Sequence, residues 1–90
     1  MTKAQILEVF SMVLTAGSSD TYSVSIDYDT EFGYLDIWFW QSLTRENVDM
    51  VRHVSNRRQN YEEILKFVKD CVILIVADRA EQKVKDNESK

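Results

Sequence analysis

Residues 34–41 carry apolar side chains on both faces of an extended strand. Leu35, Ile37 and Phe39 fall on one side, and Tyr34, Trp38 and Trp40 on the other. A short chain has one core, so one of these faces fills it. The two tryptophans of the other face need cover from elsewhere in the chain, from a second copy or from a partner. Just upstream, residues 21–29 alternate cleanly. Tyr22, Val24, Ile26 and Tyr28 share one side; Thr21, Ser23, Ser25, Asp27 and Asp29 share the other. That pattern predicts a strand with one buried and one wet face. Thr30–Gly33 separates the two runs, with Gly33 free to take a positive φ, so the pair is predicted to form an antiparallel hairpin.

The flanking segments read as helices. Thr2 and Gln5 fit a capping box, and Ile6, Leu7, Phe10, Val13 and Leu14 follow at helical spacing up to Gly17, predicting a helix over 3–16. Thr44 is a suitable N-cap, Glu46 suits the positive end of a helix, and Val48, Val51 and Val54 recur at helical spacing. A second helix is therefore expected there. The polar stretch Ser55–Asn60 holds no proline or glycine, so residues 45–81 form either one long rod or two helices; a break near Asn56–Asn60 is the preferred reading. From Tyr61 the stripe resumes through Ile64, Leu65, Val68, Cys71, Val72, Ile75 and Val76, widened by Phe67, Ile73 and Leu74. Residues 71–77 are apolar throughout, and a buried strand would look the same. Helix is preferred because good helix formers flank the run and no turn residue interrupts it. A helix apolar on all sides is expected to be buried on several of them.

The predicted architecture is α+β: an N-terminal helix, an antiparallel hairpin, then one long or two consecutive helices packed on it. Residues 1–81 make one domain, and the polar residues 82–90 are expected to fray.

Composition narrows the function classes. The chain has 90 residues and a net charge of −4, which disfavours nucleic acid or an anionic membrane as the main partner. Its single cysteine rules out an internal disulfide. The N-terminus lacks the pattern of a signal peptide, and no apolar run approaches a membrane span, so a cytoplasmic location is expected. Charge is unevenly spread. Between Ser18 and Thr44 there is no Lys or Arg, yet Asp20, Asp27, Asp29, Glu31 and Asp36 all fall there. Acidic groups around exposed aromatics suit docking on a basic protein surface. They also serve to keep an edge strand unpaired.

Candidate chemistry is sparse. Asp27, Asp29 and Glu31 alternate somewhat as in a calcium loop, but the glycine falls one place late and Trp38 stands where the closing glutamate belongs. No metal is expected. His53 is the only histidine, Cys71 sits in an apolar run, and there is no phosphate loop or glycine fingerprint. Neither an enzyme nor a cofactor is expected. Arg45, Arg52, Arg57 and Arg58, with His53, make a basic segment that would grip phosphate if gathered on one helix side; a solvated face is the commoner explanation.

The sequence thus points to a protein–protein interaction module. Its contact surface is predicted at Tyr34, Asp36, Trp38 and Trp40 with Asp27 and Asp29. A homodimer through that face or through the Tyr61–Val76 helix is one form. An acidic inhibitor or adaptor that covers a nucleic-acid-binding site on another protein, as small phage or mobile-element proteins do, is the other.

Overall fold

The computed structural model describes residues 1–44 and 46–88. Helix α1 spans Lys3–Ala16. Its capping box is formed: Gln5 N–H donates to Thr2 Oγ1 at 3.1 Å, and Thr2 N–H donates to Gln5 Oε1 at 2.9 Å. Two otherwise unpaired donors are satisfied reciprocally, which fixes the start of the helix. Its end lies at Gly17, which takes φ +67° and donates its N–H to the carbonyl of Val13. Ile6, Val9, Val13 and Ala16 form the buried stripe.

Three strands follow: β1 (Tyr22–Asp29), β2 (Tyr34–Ser42) and β3 (Val48–Ser55), then helix α2 (Tyr61–Glu88). The sheet is antiparallel in the order β1-β2-β3, so β2 is central. The β1–β2 register runs from Tyr22 opposite Gln41 to Asp29 opposite Tyr34. The turn between them is held by Asp29. Its Oδ1 accepts from Glu31 N–H (2.9 Å) and Phe32 N–H (3.2 Å), and its carbonyl accepts from Gly33 N–H. Gly33 takes φ +71°, a conformation that any side chain would strain.

The α+β class holds, and so do helix 3–16 and the hairpin. The segment expected to be a second helix does not: residues 48–55 are the third strand, laddered on β2 from Ser42 opposite Val48 to Asp36 opposite Ser55. The register slips by one residue beside Phe39 and Trp40, so Val51 is extra. A bulge of this kind resets the two-residue alternation. It places valines three apart in a strand, which is what imitates a helical period. The expected break at Asn56–Asn60 is a turn, and Asn60 caps α2. Glu63 N–H donates to Asn60 Oδ1 (2.9 Å) and Asn60 N–H to Glu63 Oε1 (3.2 Å), a second capping box. Residues 71–77 are helical, as preferred.

Both helices lie on one face of the sheet. Leu35, Ile37 and Phe39 from β2, with Val54, pack against Val9 and Val13 of α1 and Ile64, Phe67, Val68 and Cys71 of α2. Phe39 stacks on Tyr22 (ring centroids 5.3 Å) and meets Phe67 edge-on (6.4 Å). Two polar clasps hold α2 in place. Tyr61 Oη donates to Glu8 of α1 at 2.6 Å. Thr21, at the entry to β1, donates its N–H and Oγ1 to the carboxylate of Asp78. Contrary to expectation, α2 is buried along one stripe only, because its neighbours form a single layer. Ile73 is 65% exposed, and Leu74 and Val76 are also open. Among the described residues, no helix is long and apolar enough to cross a membrane.

Candidate functional site

With both helices on one side, the other side of the sheet has no helix over it among the described residues. Strand alternation decides what this open face displays. From β2 come Tyr34, Asp36, Trp38 and Trp40. From β1, opposite them in register, come Asp29, Asp27, Ser25 and Ser23; from β3 come Ser55, His53 and Met50. The sequence-predicted group Tyr34, Asp36, Trp38, Trp40, Asp27 and Asp29 therefore shares one surface. Neither tryptophan is in the buried core; both are partly covered by neighbours within the face.

The side chains of this face form a stacked row along the β2–β3 side. Phe32, in the turn, stacks on Tyr34 with centroids 5.6 Å apart and planes 18° apart. The Arg57 guanidinium lies 4.6 Å over the Tyr34 ring. Arg57 Nη2 donates to both Asp36 oxygens, at 3.0 and 3.2 Å. The other side of Asp36 meets His53 Nε2 at 2.9 Å. The His53 ring stacks on Trp38 at 5.0 Å and 14°. Beyond it, Trp40 Nε1 donates to Ser25 Oγ across the hairpin. The row alternates aromatic and ionic groups from the hairpin tip to the middle of the sheet.

Asp36 is the hub. Its side chain is only 14% exposed, and Asp27 lies directly opposite it on β1. Like charges facing each other across strands destabilise a sheet. Burial pushes the Asp36 carboxyl up, but the hydrogen bonds from His53 and Arg57, aided by the Arg57 charge, outweigh this and hold it below its usual value. Arg57 is itself positioned. Its N–H and Nε both donate to Ser55 Oγ, and Ser55 is buried. Asn56 locks the same corner: it accepts from Leu35 N–H (3.0 Å) and donates Nδ2 to the Gly33 carbonyl (2.8 Å).

Two consequences differ from the sequence reading. Asp36 is engaged inside the face, so the exposed carboxylates around the aromatics are Asp27, Asp29 and Glu31, of which Asp29 also holds the turn. The arginines are not gathered. In a strand, successive side chains point to opposite faces, so Arg52 lies 5.4 Å over the Phe67 ring on the helix side, whereas Arg57 reaches the open face. Arg58 lies exposed in the turn, and Arg45 lies outside the described residues. The role of Arg57, Ser55 and Asn56 as organisers is not legible in the sequence, because reading residues 45–55 as a helix leaves no strand beside β2 to bring the following turn to Asp36.

Little here resembles a reaction centre. Among the described residues, no hydroxyl or thiol is hydrogen-bonded to His53, and no three metal-ligating side chains are gathered. Cys71 is buried in the core, where burial pushes its thiol up to about 12. Compared with known proteins, the chain matches no family model, no curated protein and no solved structure.

Proposed function

We propose that the protein is a non-enzymatic interaction module that presents the open sheet face to a basic segment of another protein. The observation that carries this reading is the aromatic row left free of helices and bordered by Asp27, Asp29 and Glu31. Indole and phenol rings supply contact area at little entropic cost and accept cations on their faces. The carboxylates steer a Lys- or Arg-bearing chain and reject acidic ones. Arg57 does not oppose this, because Asp36 already neutralises it. An acidic inhibitor or adaptor is the same surface set against a folded basic site.

A basic segment of stated composition tests the reading. Titrating a Lys/Arg-rich peptide into the protein should give binding that weakens as salt rises. Asp27→Lys, which leaves the turn-holding Asp29 in place, should reduce the affinity severalfold and flatten the salt dependence. Equal affinity of the charge-reversed and native proteins would sink the idea. Nucleic acid is the weaker reading, since Arg52 and Arg57 lie on opposite faces.

A further inference from the structure

The tip of the β1–β2 hairpin carries both a plug and a socket. The plug is Phe32, 61% exposed in the turn and resting on the open-face side against Tyr34. Glu31 precedes it, exposed and without an ion pair among the described residues. The socket lies on the helix side of the same hairpin, where α1 leaves a cleft of about 480 Å³. Ile6, Leu7, Phe10 and Tyr28 wall it, with Lys3 and Thr30 completing the lining. Lys3 also has no ion pair among the described residues, and it sits at the positive end of α1.

Plug and socket match in chemistry: an aromatic ring beside a free carboxylate, and an apolar cleft beside a free ammonium. They share one turn, since Thr30 lines the cleft and Phe32 follows two residues later. The ring is on the wrong side of its own sheet to fill its own cleft. Symmetry removes that obstacle. A two-fold axis lying in the sheet plane, across the strands and just beyond the turn, reverses the strands and turns the sheet over. The open-face side of one copy then lies level with the helix side of the other. We propose that the chain forms a tip-to-tip two-fold dimer in which Phe32 of each copy enters the other's cleft and Glu31 of each pairs with the other's Lys3. The exchange is reciprocal, so it closes at two copies and does not propagate as a fibre. It draws Phe32 and Glu31 from the edge of the open face but leaves Trp38 and Trp40 uncovered, and its test and the open-face test use different residues.

Sedimentation velocity across a concentration series tests it. The native chain should move from monomer to dimer as concentration rises. Phe32→Ser should weaken the dimer by about tenfold or more. Glu31→Lys and Lys3→Glu should each weaken it alone, because each puts like charges together at both contacts. Mixing the two single variants in equal amounts should restore association, since the mixed pair regains opposite charges at both contacts; circular dichroism checks that each variant is folded. A native chain that stays monomeric at submillimolar concentration overturns the proposal. So does a dimer indifferent to all three substitutions, or a mixture that fails to restore association.

Discussion

At the scale of the residue, Asp36 explains more of the open face than either tryptophan. A carboxylate placed opposite Asp27 in a sheet is a liability unless cations claim it, and Arg57 and His53 do so from β3 and the turn after it. Replacing it by asparagine leaves Arg57 without its partner and should cost about 1–3 kcal/mol in urea unfolding. The effect has a definite pH signature. Because the folded carboxyl lies below its ordinary value of 3.8, its contribution is fully present above that value and disappears as pH falls through the lower folded value. The stability gap between native and Asp36→Asn proteins should therefore hold at pH 6 and close toward pH 2. A gap that stays constant through that range would show that the carboxylate charge contributes nothing.

At the scale of the element, legibility followed the regularity of the alternation. Residues 21–29 and 34–41 each keep a period of two, so both strands could be read directly, and β1, sorted into an apolar and a polar face, shows its core side as well. The bounds of helix α1 were equally plain, because cap and terminating glycine agree, but its stripe was only partly legible: Leu7 and Leu14 are exposed, and Val9 and Ala16 are buried with Ile6 and Val13. Strand β3 was hidden by its bulge. Val51 breaks the period, and Val48, Val51 and Val54 then resemble a helix. Two signals pointed the other way: three β-branched residues in seven positions, and Asn60-x-x-Glu63, a capping box that starts a helix only at Tyr61. The strand makes a sharp prediction. Val54 is 2% exposed and Val51 is 53% exposed. Val54→Ala should cost about 1–3 kcal/mol, and Val51→Ala about 0.5 kcal/mol or less, by chemical denaturation. Equal losses at the two positions would contradict the strand.

At the scale of the whole molecule, a single layer of helices covers a single sheet, so half of each layer faces outward. The sequence showed two apolar faces on β2 but not which one the helices take. That choice depends on how α1 and α2 meet, a contact between the two ends of the chain. The outward side of α2 is a further exposed apolar surface, with Ile73, Val76 and Val84 at helical spacing. It lies beyond what the core uses. Among the residues whose burial is described, none after Ile75 is buried; Asp78 holds Thr21 by hydrogen bonds, and Arg79 lies against Gly17 just beyond it. Ending the chain after Gln82 should therefore leave the urea midpoint nearly unchanged, whereas ending it after Ala77 should lower it by releasing the start of β1. A large loss from the first truncation would show that the far turns of α2 support the fold.

The order of the strands has one more consequence. Each strand pairs with the next along the chain, so every rung of the sheet joins segments close in sequence and costs little loop-closure entropy. The two helices behave oppositely: α1 precedes the meander in the chain, and α2, which packs beside it on the sheet, follows it. Synthesis therefore delivers β2 before Ile64–Ile75, the residues of α2 that close the core over it. Leu35, Ile37 and Phe39 lack their α2 cover until that helix is available, and in that interval the nascent chain is most open to chaperones and to misassociation.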